Sequence, residues 1–381
     1  MSKSPPPVTK TAESPQAGTL REILSGFGVE AETPMQDVLA RIDKNGEGIA
    51  LVIDGERRLL GIVTDGDIRR AILTDADFDF GLAAGRFLES KVKRGSQPPL
   101  TASADTRQAD LLRLMDEHLV RHLPLVDGEN RIAGLALMSE IGREQDRAPA
   151  VRAVVMAGGL GKRLHPLTNA MPKPLLSIGK KPVIERTVEQ LRDSGIHNIC
   201  ITTHYQAEKI MDHFGDGSGF GVHVQYAHER EPLGTAGALS MFSASVEPLL
   251  VINGDILTEV DFRAMLNFHR EQASDITIGV RKYEIPVPFG VIEVKGTRVK
   301  RLVEKPTLSH FINAGIYLLE PTVLEHISAD RKLDMTDLIE RLLGGDTVVT
   351  SFPIHEYWLD VGQLRDYAQA QGDVHSGKFK K

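Results

Sequence analysis

The N-terminal part of the chain contains one unit written twice. VIDGERRLLGIVTDGDI at residues 52–68 aligns without a gap with LVDGENRIAGLALMSEI at residues 125–141. Asp54/Asp127, Gly55/Gly128, Glu56/Glu129, Arg58/Arg131, Gly61/Gly134 and Ile68/Ile141 stay in step. Each copy reads as an apolar strand, an Asp-Gly turn, a second strand and a helix, with a further helix ahead (residues 33–43 and 103–118). A hairpin flanked by helices cannot bury its own apolar face, so the two copies are expected to close on each other.

Carrying these residues, the segment from about residue 30 to 142 resembles a tandem CBS-domain pair, an α+β unit. The resemblance implies an adenine nucleotide, AMP or ATP, held between the repeats. The family pattern G-h-h-T-x-x-D, with h apolar, sets a hydroxyl near the phosphates and a carboxylate at the ribose. Gly61, Thr64 and Asp67 meet it in the first copy, whereas Leu137 and Glu140 stand at the matching places of the second. One competent cleft is therefore expected, with regulation as the implied role and simple packing or dimerisation as the plainer alternative. His118 and His122 are spaced to ligate zinc from one helix, but no third ligand is near and the following Leu-Pro marks a helix end. No metal is assigned there.

Three regions follow. Residues 1–18 are rich in Pro and Ser and are expected to be a disordered tail without the apolar run of a signal peptide. Residues 19–145 hold the repeats, and the polar GREQDRAPA at 142–150 leads into a larger unit over residues 151–373. There apolar strands (AVVM, NICITT, PLLVI) alternate with amphipathic helices (PVIERTVEQLRDSG, DFRAMLNFHREQ). That alternation predicts an α/β unit with a Rossmann-like mixed, mainly parallel sheet, helices on both faces and ligands at the C-terminal ends of the strands. The final QAQGDVHSGKFKK is expected to be a helix end and a loose basic tail.

Composition excludes some partners. The net charge is −7, from 45 basic and 52 acidic residues, so no footprint for nucleic acid exists and any anionic ligand must be held by local bases. No apolar run approaches the ~20 residues needed to span a bilayer, so no membrane partner is expected. The single cysteine, Cys200, forms no intrachain disulfide and reads as a buried thiol in a cytoplasmic protein.

AGGLGKRLHPLT at residues 157–168 leaves the first strand of the larger unit, with three glycines in five positions and then two bases. Glycines remove Cβ atoms and permit positive φ, so successive N–H groups can converge on an anion. Two familiar phosphate loops fail. G-x-G-x-x-G meets Leu164 in its third place, and the P-loop needs glycine where Met156 stands and Ser or Thr where Arg163 stands. What fits is G-G-x-G-x-R-L-x-P-L-T followed by P-K-P: Gly158, Gly159, Gly161, Arg163, Leu164, Pro166, Leu167, Thr168, Pro172, Lys173 and Pro174. With it, residues 151–373 resemble the sugar-1-phosphate nucleotidyltransferases.

The resemblance implies transfer of a nucleotidyl group from an NTP to a sugar 1-phosphate, releasing pyrophosphate, with Mg²⁺ as cofactor. Gly158, Gly159 and Gly161 would cradle the triphosphate, and Gly234 and Thr235 of EPLGTAGAL would line the nucleobase pocket. Arg163 and Lys173 would neutralise phosphates, and Asp255 of NGD, with Asp360 of WLDVG, would hold the metal, since Mg²⁺ takes one or two carboxylates plus phosphates. Gly290, Glu304, Lys305 and Asn313 would receive the sugar phosphate; Trp358 reads equally as core or ligand contact. The phosphate nucleophile is already ionised, so catalysis reduces to positioning and charge neutralisation. LGTAG and NGDILTEVDF look most like guanylyltransferases, which favours GTP and a product used for surface glycans or nonulosonic acids. Uridylyl-, thymidylyl- and cytidylyltransferases of the same fold, and a catalytically silent nucleotide-sensing module, are the alternatives. A homo-oligomer is implied by the CBS resemblance alone.

Overall fold

The computed structural model describes residues 19–74, 78–118, 120–138, 151–242, 244–329 and 331–379. The expected tail, Glu140, Ile141 and the polar stretch 142–150 lie outside them. Contacts divide the chain into two units, Met1–Arg147 and Ala148–Lys381.

In the first unit the repeat is visible atom by atom. Strands β1 (Gly28–Glu30), β2 (Ile49–Ile53) and β3 (Leu59–Thr64) form one sheet, and β4 (Ala102–Ser103), β5 (His122–Val126) and β6 (Ile132–Leu137) form its counterpart. In each, the first pairing is parallel and the second antiparallel. The Asp-Gly turns are built alike: Asp54 Oδ1 accepts from the N–H groups of Glu56 and Arg58 at 2.9 and 2.8 Å, and Asp127 Oδ1 from those of Glu129 and Arg131 at 2.9 Å each. These Asx turns fix the hairpin register. Arg58 and Arg131 bridge the two hairpins, and Ile49, Leu51 and Leu59 share one core with Ile132, Leu135 and Leu137. The copies therefore bury each other's apolar faces. His122 stands on β5 rather than on the helix ending near His118, so the two imidazoles do not share a helix face.

The second unit is built on a seven-stranded sheet. In chain order its strands are β7 (Arg152–Met156), the short pair β8 (Ser177–Ile178) and β9 (Lys181–Pro182), β10 (Asn198–Thr203), β11 (His223–His228), β12 (Leu249–Asn253) and β13 (Ile256–Thr258). There follow β14 (Ile276–Pro286), β15 (Val291–Lys295), β16 (Arg298–Val303), β17 (Thr307–Leu319), β18 (Val349–Pro353) and β19 (Trp358–Asp360). The central sheet runs β11-β10-β7-β12-β17-β14-β18. Only β17 opposes the rest, so the sheet is mainly parallel. Alternate side chains serve opposite cores: Ala153, Val155, Ile199 and Ile201 pack under helices Val183–Asp193, Ala207–Phe214 and Phe262–Glu271, while Val154, Cys200 and Val251 face helix Met335–Leu342. Burial on both faces is why these strands read as continuous apolar runs. Burial pushes the Cys200 thiol up to about 11, which leaves it inert.

The C-terminal expectation needs correction. Helix Leu364–His375 is followed by an ordered turn in which Phe379 is buried against Tyr357, 5.3 Å between ring centroids, with the Arg186 guanidinium 5.4 Å from the Phe379 ring. One aromatic anchor and a cation–π contact hold what composition alone marked as loose. Among the described residues no helix is long and apolar enough to cross a membrane.

Candidate active site

β7 lies at the point where strand order reverses: β10 and β11 continue on one side of it and β12 on the other. In such sheets the crevice beyond the strand ends at the reversal is open to a ligand. Here it is a cleft of about 260 Å³, and the loop leaving β7 forms its floor. Gly158 and Gly159 line it. A Cβ at Gly158 would stand 2.6 Å from Glu229 Oε1, whereas at Gly159 nothing lies within 4 Å, so the backbone there is open to an approaching group. Gly161 does other work. It is left-handed (φ 62°) at the start of the 3-10 turn Lys162–Leu164, its carbonyl accepts from Thr168 Oγ1 at 2.9 Å, and it does not line the cleft.

The opposite wall comes from Gly234 and Thr235. Gly234 is left-handed (φ 77°), and a Cβ there would sit 2.6 Å from both Asp334 Oδ1 and the Leu333 carbonyl. This close approach of two backbones is what the LGTAG glycines permit. The Thr235 hydroxyl accepts from Met335 N–H at 2.8 Å and so caps the helix Met335–Leu342.

Charge gathers at the end of β12. Gly254 must be glycine, since a Cβ would meet the Met156 carbonyl at 2.8 Å, and the tight turn it makes presents Asp255. Asp255 is ion-paired with Lys173, which the 3-10 turn Lys173–Leu175 holds just after Pro172. Asp360 is brought alongside by strand pairing: β13 and β19 run antiparallel with Ile256 opposite Asp360, and Val361 N–H donates to the Asp255 carbonyl at 3.0 Å. Burial and then the neighbouring Asp255 push the Asp360 carboxyl above its ordinary range, and the charges of Lys173 and Arg163 act against them. A carboxylate whose charge is opposed by a neighbouring one is suited to share a divalent cation with it. The donor set is two hard oxygens groups, and among the described residues no cluster of three or more His, Cys, Asp or Glu could hold a metal. Carboxylate oxygens are donors of the kind that Mg²⁺ takes alongside phosphate and water. Arg163 is exposed, and its charge reaches Asp360 without its side chain lining the cleft.

A second cleft of about 130 Å³ opens on the far side of Asn253, lined by Asn313, Tyr317, Trp358 and Asp360 among others. Trp358 lines this cleft, donates Nε1–H to the Ala314 carbonyl at 2.9 Å and packs its ring on the core. Gly290, Glu304 and Lys305 line neither cleft. They sit at the base of the β15–β16 hairpin, where a Cβ on Gly290 would stand 2.9 Å from Glu304 Oε2. Lys305 holds a positive φ (44°), an unfavourable backbone state for a residue with a side chain and one that concentrates at functional sites.

Glu229 and Asn253 are among the lining residues that the sequence reading missed. Glu229, just beyond β11, is 6% exposed, yet it faces the cleft, with Oε2 accepting from Leu233 N–H at 3.0 Å. Asn253 ends β12 and borders both clefts. A polar residue just past the C-terminal end of a parallel strand was the available signal.

In the first unit Thr64 and Asp67 form a reciprocal cap on helix Asp65–Thr74: Thr64 N–H donates to Asp67 Oδ2 at 3.0 Å and Asp67 N–H to Thr64 Oγ1 at 3.2 Å. Burial would raise the Asp67 carboxyl, but Lys91 at 2.6 Å and Arg70 at 2.8 Å hold it below the usual carboxylate range. A Cβ on Gly61 would meet Leu88 Cδ1 at 2.7 Å. The carboxylate is thus already partnered inside the fold.

The switch-point cleft, its glycine floor and its paired carboxylates place the chain among nucleotide-transferring enzymes. The family model for nucleotidyl transferases matches residues 152–377, and the chain belongs to that family. The CBS-domain model matches residues 27–74 and 93–144. Among curated proteins it is similar to the probable mannose-1-phosphate guanylyltransferase 1 of Oryza sativa subsp. japonica, 35% identical over 227 residues. It is similar too to the mannose-1-phosphate guanylyltransferase catalytic subunit beta of Drosophila pseudoobscura pseudoobscura, 35% identical over 225 residues. These matches cover 57% of this chain and 63% and 60% of the two relatives, so it spans less than two thirds of their length. A crystal structure of a candidate glucose-1-phosphate thymidylyltransferase from Bacillus anthracis, in complex with sucrose, superposes with a TM-score of 0.51 at 26% identity. It covers 61% of this chain and 98% of that one.

Proposed function

We propose that the second unit transfers a guanylyl group from GTP to a sugar 1-phosphate, with mannose 1-phosphate the first candidate, giving a GDP-sugar and pyrophosphate. The observation that carries this is the convergence of Asp255, Asp360 and Lys173 where the two clefts meet. The backbone at Gly158 and Gly159 receives the triphosphate, and Lys173 and Arg163 offset its charge and that of the incoming phosphate. Asp255 and Asp360 are the residues to hold Mg²⁺, which when bound neutralises charge on the α-phosphate. The sugar phosphate oxygen needs no base, and no nucleophile–base pair is required of the chain.

Glu229 favours guanine. A carboxylate is acceptor-only, and guanine alone of the four bases offers adjacent ring N–H and amino donors on one edge. Pyrophosphate release from GTP, UTP, dTTP and CTP in turn, against a panel of sugar 1-phosphates, tests the assignment. Preference for another NTP moves the chain to a uridylyl-, thymidylyl- or cytidylyltransferase. Binding of NTP with no release from any pair leaves a silent nucleotide-sensing module.

We also propose that the product serves surface glycan or nonulosonic acid synthesis in the cytoplasm, and that the first unit regulates the second by binding AMP or ATP. Such a nucleotide would compete with Lys91 for Asp67. Calorimetry with AMP and ATP on wild type and Asp67→Ala tests that role, and binding that ignores the substitution removes it. Copies are proposed to associate through the β15–β16 hairpin, where Ile292, Val294, Val299 and Leu302 form one apolar face, each more than half exposed.

A further inference from the structure

Among the described residues Asn253 is the one side chain common to the walls of both clefts. Its Oδ1 is buried and has no hydrogen-bond partner among those residues. Buried polar atoms are nearly always paired, so an acceptor left open in a cleft wall points to a donor that arrives with a ligand. A phosphate at neutral pH brings acceptors and repels a carbonyl oxygen; a hydroxyl brings the donor that is missing.

The neighbourhood narrows this further. Asn313 Oδ1 accepts from Gly315 N–H at 2.9 Å, and its NH₂ donates one hydrogen to the Tyr317 hydroxyl, which leaves the other N–H as a donor for the same cleft. Gly315 is left-handed (φ 69°), and a Cβ there would stand 2.5 Å from Asn253 Nδ2. The two amides therefore flank Gly315, one held by its N–H and the other filling the space where a side chain would be. A hydroxyl both donates and accepts, and this pair offers one group of each kind.

We propose that Asn253 Oδ1 accepts a hydrogen bond from a ring hydroxyl of the sugar 1-phosphate while the Asn313 amide donates toward it, so that the two amides around Gly315 select the sugar. The inference rests on reading the second cleft as the sugar phosphate's side. Asn253 supplies an acceptor without charge beside Asp255 and Asp360, where a further carboxylate would oppose two phosphorylated substrates.

The test compares mannose 1-phosphate with its monodeoxy analogues on wild type, Asn253→Ala and Asn253→Asp. Wild type should discriminate against one analogue by about tenfold or more, because a site built to bind a hydroxyl rejects its absence. Asn253→Ala should lower kcat/KM for mannose 1-phosphate about 10- to 100-fold, leave the KM for GTP within about twofold, and treat parent and that analogue alike. Asn253→Asp keeps an acceptor and should preserve the discrimination even as its charge slows both substrates. Discrimination unchanged in Asn253→Ala, discrimination lost equally in Asn253→Asp, or a GTP KM rising in step would each overturn the proposal. Calorimetric titration of mannose 1-phosphate without GTP makes the same comparison without turnover. Weaker binding to Asn253→Ala supports the assignment; equal binding, or none to wild type, overturns it. Sugar phosphate binding by a wild type that releases no pyrophosphate counts against the proposed reaction and not against this contact.

Discussion

Single residues divide into those that meet a ligand and those that make room for it. Asp255 does the first, and Asp255→Asn should lower turnover by about 10²- to 10³-fold at saturating Mg²⁺, the scale of losing one preorganised electrostatic contact. Its circular dichroism should be unchanged, because the Asp255 side chain pairs with Lys173 at a cleft wall and not in the core. Pyrophosphate release within a few-fold of wild type would remove Asp255 from the metal site. Gly158 does the second. Gly158→Ala places a methyl against Glu229 Oε1 and should raise the KM for GTP more than it lowers kcat. Short motifs made much of the site legible: Gly158, Gly159, Lys173, Gly234, Thr235 and Asp255 stand in compact stretches of sequence and line one cleft together. Glu229 and Asn253 were not legible, because they reach the site through strand order across the sheet, which no local pattern encodes. The same limit hid the distance of Gly290, Glu304 and Lys305 from either cleft lining.

At the scale of elements, the sequence predicted a mixed, mainly parallel sheet but not which strand runs against the rest, since an apolar strand such as β17 reads the same in either direction. Nor could three-residue strands such as β13 and β19 stand out, although they join the two carboxylates. In the first unit β5 carries a half-buried titratable group. His122 Nε2–H donates to the Glu47 carbonyl at 2.6 Å, and burial, with a smaller push from Arg121, takes its pKa down to about 4. The fold therefore holds the neutral ring, while the unfolded chain takes up a proton near the ordinary value of about 6.5. Stability is whole above about pH 6.5 and declines as pH falls toward 4, by on the order of 3 kcal/mol. Chemical denaturation of the first unit at pH 7 and pH 5 should show the decline, and His122→Gln, which can still donate to Glu47, should flatten it. An equal slope in the variant would place the acid sensitivity elsewhere.

At the scale of the molecule, an exposed apolar hairpin face is a liability in a free monomer. Sedimentation should show association in the wild type, and Leu302→Glu should shift it to monomer without altering the melting temperature by more than a degree or so, since an exposed surface position contributes little to folding. Monomer in both would leave the hairpin without a partner of its own kind. The pairing of β13 with β19 has a consequence for how the enzyme comes into being. Its two acidic groups lie far apart along the polypeptide, and a ladder of three residue pairs is what sets them side by side. If the two carboxylates share the metal as proposed, a nascent chain on the ribosome should stay inert until translation has passed Asp360 and β19 can pair with β13.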